Sequence, residues 1–364
     1  MKDVDIALIW GTRPEHIKIY PVWKALKDKK LSTYTICTGQ HKELIDTETF
    51  DIEADINLDL MRKNQSLSAI LSKCLSSLDE ILQYVKPRLV LVQGDTSSAY
   101  AGAMSSFYWG IPVGHIESGL RTFVPRDPFP EEMHRSLIRE LATYHFVPTL
   151  FSIANLVKNN IKNNIYLTGN TVVDSLKKIC LENDIKIPEE SGKKVLITLH
   201  RRENDKNIDD IMNSLIDLAN QNNTFEFIFP MHPRMKSLLG IINENVYIFK
   251  KNNISIIEPL NYIDFLKEMS TSYCVITDSG GVQEEASVFG VPCFVIRNTT
   301  ERMESIGCYA AFLCGNTYWS IMEAFDNYFS ECKRHNNNDL YGDGTAGIKI
   351  ANIVESIVHE NTGN

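Results

Sequence analysis

Three carboxylates stand out in the first half of the chain: Asp95, just past the apolar run ending at Gln93; Glu117, at the end of the run closing with Ile116; and Glu131, behind Pro130. Carboxylates that converge on one site push each other's pKa upwards, which lets one serve as an acid and another as a base. Each also has a plainer reading. Asp95 can cap the helix that starts at Thr96, and Glu131 can be a first-turn acid favoured by the helix dipole. Glu117 is harder to assign to structure, because it ends an apolar strand and is followed by Ser118-Gly119. In the second half, Asp278-Ser279-Gly280-Gly281 follows an apolar run and opens a helical pattern. Small residues at a helix N-terminus let backbone amides approach an anion, so a phosphate fits there; a strand-to-helix turn capped by Asp278 or Ser279 is the alternative. One turn further on, Glu285 is placed to accept both hydroxyls of a ribose. Gly11-Thr12-Arg13 ends another apolar run, Pro14 fits the first helical position, and the rigid fork of Arg13 suits a diphosphate. His200 leads a cluster with Arg201 and Arg202, whereas His115, His145 and His232 read more simply as hydrogen-bonding partners near strand ends.

Several chemistries have no visible carrier. Neither GxGxxG nor GxxxxGK[ST] is present, which argues against nicotinamide and P-loop chemistry. HExxH, a Cys/His zinc pattern and GxSxG are also missing, so neither a metal centre nor a nucleophilic serine is expected. The 37 Lys+Arg against 46 Asp+Glu give a formal charge of −9, which disfavours a general nucleic-acid binder but leaves room for a small anionic ligand held by a few arginines. The 8 cysteines lie mostly in apolar or helical segments without a CxxC pair, as reduced core thiols of a cytoplasmic protein would. The run Val4 to Trp10 is too short for a signal peptide or a membrane span, and no later stretch approaches one.

Positioning these residues requires a scaffold, and 364 residues suffice for two domains. Apolar runs at Val4–Trp10, Thr33–Thr38, Arg88–Gln93 and Ile111–Ile116 alternate with helical patterns at Pro14–Lys29, Ser66–Val85 and Ser97–Tyr108. The second half repeats the scheme, with strands at Lys194–Leu199, Glu226–Phe229, Ile254–Glu258, Tyr273–Thr277 and Pro292–Arg297. Its helical patterns are Ile208–Asn220, Ile263–Met269 and Gly281–Phe289, and the tail from Gly342 to His359 is also helical. The Asn-rich Arg334–Asp339 segment reads as a surface loop. Continuous apolar strands separated by helices predict an α/β fold of two parallel, doubly covered sheets. The expected domains are residues 1–170 joined by the C-terminal helix 343–360, and residues 171–342. Ligands of such sheets bind at the carboxyl ends of the strands, where the polar residues above cluster, so the site is expected in an interdomain cleft.

The strand-end motifs, in this order, resemble the non-hydrolysing UDP-N-acetylglucosamine 2-epimerase family. They are GTRPEHIK from Gly11, GQH from Gly39, QGDT from Gln93, HIESGLR from His115, PEEMHR from Pro130, TGNTVVDS from Thr168, LHRREN from Leu199, TDSGGVQEEA from Thr277, TTER from Thr299 and YGDGTA from Tyr341. The likeness runs along essentially the whole chain. It implies two Rossmann-like domains in the glycosyltransferase B arrangement, with the last helix crossing back to the first domain, and a homodimer. The implied reaction is inversion at carbon 2 of the sugar, UDP-GlcNAc to UDP-ManNAc, through loss and re-addition of UDP and a 2-acetamidoglucal. It needs no cofactor, and the product supplies bacterial surface polysaccharide. By motif match, Asp95, Glu117, Glu131 and His200 are the catalytic candidates, with Glu117 and Glu131 first for proton transfer. Arg13, Lys18, Ser279, Gly280, Gly281 and Glu285 are expected on UDP, and Arg135 on the leaving group or sugar.

Departures from the family pattern carry expectations of their own. The usual TERPE reads Thr300-Glu301-Arg302-Met303-Glu304, and His232-Pro233-Arg234 is shorter than HLNP. Regulated members bind a second UDP-GlcNAc through QHR and an Arg-Gln pair. Here Gln40-His41 is followed by Lys42, and Asn64 precedes Gln65, so the regulatory segment Gln40, His41 and Gln65 lacks a diphosphate clamp and strong activation is not expected. The alternatives are a hydrolysing epimerase that releases free N-acetylmannosamine, an epimerase of a related UDP-N-acetylated sugar, a glycosyltransferase of the same form, and a non-catalytic nucleotide-sugar regulator.

Overall fold

The computed structural model describes residues 4–39, 50–60, 62, 65–189, 191–240, 253–336 and 339–360. Two compact units result: residues 1–177 with 341–364, and residues 178–340. In chain order the elements of the first stretch are β1 Ile6–Trp10, α1 Arg13–Asp28, β2 Thr33–Cys37, β3 Ile56–Asn57, α2 Leu67–Val85, β4 Leu89–Gln93, α3 Ser97–Tyr108 and β5 Val113–Ile116. There follow α4 Glu131–Leu141, β6 Tyr144–Val147, α5 Leu150–Lys158, β7 Ile165–Leu167 and α6 Thr171–Glu182, within which the divide falls. The second unit then contributes β8 Lys194–Thr198, a 3-10 turn at Arg202–Asn207, α7 Ile208–Gln221, β9 Glu226–Pro230, α8 Pro233–Leu238 and β10 Ile254–Ile257. It continues with α9 Tyr262–Thr271, β11 Cys274–Thr277, α10 Gly280–Val288, β12 Cys293–Val295, α11 Met303–Gly307, β13 Ala311–Leu313 and α12 Tyr318–Tyr328. The last helix, α13 Ala346–Glu360, belongs to the first unit.

Among the described residues the first sheet has the order β3-β2-β1-β4-β5-β6-β7 and the second β10-β9-β8-β11-β12-β13, and every paired strand is parallel. Helices cover both faces of such sheets, so their central strands are buried throughout and apolar up to the strand end: all five residues of β1 and of β4 are buried, with Gln93 at the end of β4 the one polar residue among them. In each sheet the strand order reverses beside the first strand of the unit, between β1 and β4 and between β8 and β11, which leaves a crevice at the strand ends. The sequence-based strands occupy the sheet centres except β10, which is an edge strand of the second sheet. Four strands escaped the reading, β3, β6, β7 and β13; they are two to four residues long and lie towards the sheet margins.

The first unit holds α13 by a specific local device. Pro21 lies inside α1 and has no N–H, so the carbonyl of Ile17 one turn back loses its helical donor. The hydroxyl of Ser175 donates to that carbonyl at 2.6 Å. Gly347 of α13 faces the Pro21 carbonyl, where a Cβ would come within 2.6 Å of the oxygen, so only glycine permits this approach. Asp174 accepts from the amides of Ala346 and Gly347 at 3.2 and 2.8 Å, capping α13. Burial raises the Asp174 pKa to about 6 against the opposing pull of these amides. A carboxylate whose folded pKa is raised contributes most to stability below its unfolded pKa, and that contribution is lost as pH rises to the folded pKa. The stability difference between wild type and Asp174→Asn should therefore shift against wild type between about pH 4 and 6 and level off above it. Thermal melts across that range check the sign.

The second unit packs around a phenylalanine-rich core that includes Phe227, Phe229, Phe294, Phe325 and Phe329. Arg334, expected in a surface loop, instead sends its guanidinium inward to the carbonyls of Phe289, Ser270 and Ser272, joining α10 and α9 to the end of the unit. Among the described residues no helix is long and apolar enough to cross a membrane, and no group of three or more His, Cys, Asp or Glu is placed to hold a metal ion.

Candidate active site

At the β1 end, Thr12 is the N-cap of α1 and forms a reciprocal capping box with Glu15, so Arg13 is the first helical residue and Pro14 the second, one position later than expected. Glu15 Oε2 accepts from the amides of Gly11 and Thr12 at 3.0 and 2.7 Å and from the Thr12 hydroxyl at 2.8 Å. Its Oε1 accepts from the hydroxyl of Thr96, after β4, at 2.6 Å. Burial raises the Glu15 pKa to about 7, and the four hydrogen bonds oppose it. Gly11 is obligatory for the packing, since a Cβ there would meet Ser98 Oγ at 2.1 Å and Thr38 Oγ1 at 2.4 Å.

Glu117 stands at the end of β5 with φ of 66°, in the left-handed region that a residue other than glycine occupies only at a cost. The turn is completed by Gly119 at φ 90°, whose missing Cβ would otherwise press to 2.4 Å from the Ser152 carbonyl. The Glu117 carboxylate is nearly buried. Lys18 Nζ from α1 lies 2.7 Å from its Oε2, and the side-chain amide of Gln93 donates to the same oxygen at 2.5 Å. Two donors on one oxygen, one of them cationic, suit an ionised carboxylate.

Asp95 does not cap α3; Thr96 does, accepting from the Ala99 amide at 3.1 Å. Asp95 Oδ2 instead takes the Arg135 guanidinium, at 2.7 Å from Nε and 2.5 Å from Nη2. Arg135 also lies 3.3 Å from Glu132 Oε2. Glu132, 1% exposed, accepts in addition from Arg121 Nε at 2.7 Å and from the amides of Thr122 and Phe123 at 3.1 Å each. This buried carboxylate binds the loop after β5 to α4, a role the sequence reading did not give it. Glu131 opens α4 and is half-buried. The nearby histidines are structural. His115 bonds the Gly94 carbonyl at 2.8 Å, His145 bonds Ser118 Oγ at 3.0 Å, and burial lowers both pKa values to about 4. His134 bonds the Asp95 carbonyl at 2.8 Å and stacks on Tyr100.

In the second unit, Asp278 is fully buried after β11 and accepts from the His200 amide with both oxygens at 3.1 Å, from the Arg201 amide at 2.9 Å and from Asn204 Nδ2 at 3.1 Å. The side chain of His200 remains 43% exposed, with Nδ1 3.6 Å from Asp278 Oδ1. Desolvation lowers the His200 pKa, Asp278 opposes this, and Arg201, His232 and Arg234 add to the lowering. Ser279 holds the N-cap position of α10 without a side-chain cap bond. A Cβ on Gly280 would meet Arg302 Nη1 at 2.4 Å, whereas one on Gly281 would meet nothing closer than 4.0 Å. The first glycine thus makes room for Arg302, and the second leaves the helix start open. Arg302 pairs with Glu284 at 2.8 Å and with Glu301, and Glu301 lies 3.1 Å from Arg297; all four side chains are buried. Met303, in place of the expected proline, starts α11 while this ion network stays closed. Glu285 accepts from Tyr262 Oη at 2.6 Å.

The structure therefore brings Lys18, Gln93 and Glu117 together, and Asp95 with Arg135 and Glu132. Arg13 is half-buried at the first position of α1. Gln65, of the expected regulatory segment, accepts from the Arg62 amide at 2.5 Å, while Gln40 and His41 lie outside the described residues.

A family model described as UDP-N-acetylglucosamine 2-epimerase matches residues 24–355. A UDP-N-acetylglucosamine 2-epimerase of Neisseria meningitidis is 38% identical, with 97% of this chain and 99% of the relative covered, and one of Bacillus subtilis is 34% identical, with 99% and 96% covered. The crystal structure of the Neisseria meningitidis enzyme bound to UDP-GlcNAc matches with a TM-score of 0.81 at 35% identity, covering 100% of both chains. That of the Methanocaldococcus jannaschii enzyme in complex with UDP-GlcNAc and UDP matches at 0.84 and 31% identity, covering 98% of this chain and 100% of the other. A glycosyltransferase structure at 13% identity shares the fold with a TM-score of 0.55. The α/β class with two Rossmann-like domains of the glycosyltransferase B type is thus the fold found, and with the family model and both relatives spanning nearly all of its length, the chain belongs to the UDP-N-acetylglucosamine 2-epimerase family.

Proposed function

We propose that the protein interconverts UDP-GlcNAc and UDP-ManNAc by eliminating and re-adding UDP. The observation that carries the reading is the Lys18–Glu117–Gln93 cluster at the strand ends beside the Asp95–Arg135 pair. The hydrogen on carbon 2 is not adjacent to a carbonyl, so its removal as a proton needs an outlet for the electrons. Breaking the bond from carbon 1 to the UDP oxygen provides it, leaving a carbon 1–carbon 2 double bond in 2-acetamidoglucal and UDP as a separate anion. Protonation of carbon 2 on the opposite face, with UDP returning to carbon 1, gives the inverted sugar. No electrons are gained or lost, and no redox cofactor is required.

In this reading Glu117, ionised by its two donors, takes the proton on one face, and Glu131 or Asp95 serves the other. Arg13, the open start of α10 at Ser279–Gly281 and His200 stabilise the diphosphate as its charge develops. Glu285, held by Tyr262, takes the ribose. Arg135 orients Asp95 from inside the protein instead of gripping the sugar directly, because its guanidinium is committed to two carboxylates. The reading carries over a cytoplasmic homodimer that supplies surface-polysaccharide precursors.

The test is incubation with UDP-GlcNAc in heavy water, followed by NMR. Deuterium at carbon 2 and a mixture of the two UDP-sugars are expected without added cofactor. Absence of exchange would overturn the reading, and accumulation of UDP with free N-acetylmannosamine would replace it by the hydrolysing reaction.

A further inference from the structure

We infer that Glu15 is a positioning residue that locks the turn carrying Arg13 to the turn carrying Asp95. What those two turns hold rests on the epimerase reading; the lock itself rests on geometry. The turns leave neighbouring strands β1 and β4 where the strand order reverses, so the sheet's own hydrogen bonds end before them. Glu15 spans the gap, with Oε2 on Gly11 and Thr12 and Oε1 on Thr96. Thr96 in turn accepts from Ala99, so one hydroxyl both starts α3 and reaches across to α1.

A capping box explains less than this. It needs one bond from the glutamate to the N-cap amide, and a first-turn glutamate does this well in water. Here the carboxylate is only 4% exposed and accepts four hydrogen bonds, one of them from an element 81 residues away. Burying a carboxylate is costly unless its bonds are made, and the bond to Thr96 adds nothing to the cap. Its effect is to fix Arg13, two residues before Glu15, relative to Asp95, one residue before Thr96. On the proposed reaction those two residues sit on the leaving group and in the acid cluster, so their separation bears on the chemical step more than on binding.

The test compares Glu15→Gln, Thr96→Val and Thr96→Ser with Thr317→Ala, which breaks a capping box on α12 of the second unit. At temperatures where all are folded, Glu15→Gln and Thr96→Val should lower kcat about tenfold or more while KM changes less than about threefold. Thr96→Ser keeps the hydroxyl and should recover wild-type kcat to within about twofold. Thr317→Ala should lower Tm and leave kcat unchanged. Amide hydrogen exchange on the free protein reads the lock without substrate: peptides covering residues 10–16 and 93–98 should both exchange faster in Glu15→Gln. Unchanged kcat in folded Glu15→Gln, a kcat loss shared by Thr317→Ala, or faster exchange confined to residues 10–16 would each overturn the inference. Absence of carbon-2 exchange in the wild-type protein would instead indict the epimerase reading, and the amide data would still decide whether Glu15 joins the two turns.

Discussion

Glu117→Gln should lower the rate of carbon-2 deuterium incorporation about a thousandfold, with UDP affinity held within about threefold of wild type. The substitution isolates the proton from the scaffold. Glutamine has the same shape, and its carbonyl oxygen can still accept from Lys18 and Gln93 where Glu117 Oε2 does now, at 2.7 and 2.5 Å. The left-handed backbone at 117 is no worse for glutamine than for glutamate. What is lost is the ability to accept a proton from carbon. General-base catalysis contributes about 10²–10⁴ in rate, and a carboxylate polarised by a lysine has no replacement if it is the base. NMR in heavy water gives the exchange rate, and calorimetric titration with UDP gives the affinity. Exchange persisting above about a tenth of the wild-type rate would move the base to Glu131 or Asp95. A large loss of UDP affinity would show Glu117 to be part of the nucleotide site.

How much of this arrangement the residues disclosed beforehand depends on the range over which each contact acts. Central strands β1, β4, β8 and β11 were legible because a parallel strand covered on both faces must be apolar along its length. The capping box was legible in principle too, since Thr12 and Glu15 have the T-x-x-E spacing; what the spacing could not disclose is that Glu15 reaches Thr96, because that contact exists only once β1 and β4 are neighbours. The same holds for Lys18 and Glu117, which are 99 residues apart. Strand β6 was missed because His145 interrupts a four-residue apolar run; the histidine is buried with its ring bonded to Ser118. Glu131 and Glu132 are adjacent acids in one helical turn, and residue type alone does not decide which one faces inward. The answer is Glu132, and spacing to Arg135 could not have separated the two, since Glu131 stands at i,i+4 and Glu132 at i,i+3. The plainer reading of the Asp278–Gly281 turn was a helix start capped by Asp278 or Ser279; Ser279 holds the N-cap position, and the partners of Asp278 come from the loop after β8.

Asp278→Asn should destabilise the second unit by about 3 kcal/mol and reduce kcat/KM about a hundredfold. Both effects follow from one feature: Asp278 is the acceptor for the loop that carries His200. The amides of His200 and Arg201 and the Asn204 side chain all donate to it, and its neighbouring strand β8 ends just before that loop. An asparagine has one oxygen where three donors converge on two, so its own NH2 faces at least one amide N–H in a fully buried position. Leaving a buried donor unsatisfied costs about 1–3 kcal/mol, and the lost charge weakens the bonds that remain. For a unit of this size that corresponds to a drop of about 6–12 °C in its melting midpoint. The activity loss follows from the same anchor through the position of His200. His200 is fixed through its backbone while its ring stays 43% exposed, so once the amide anchor loosens, the bond that Arg234 makes to the His200 carbonyl at 3.1 Å does not by itself fix the ring. A displacement of about 1 Å at a group meant to stabilise a leaving diphosphate is enough for a loss of that order. Calorimetry and kinetics run about ten degrees below the variant's midpoint separate the two effects. A midpoint within two degrees of wild type would mean that the loop is anchored elsewhere. Full activity in a clearly destabilised variant would leave Asp278 as a folding residue and remove His200 from the proposed chemistry.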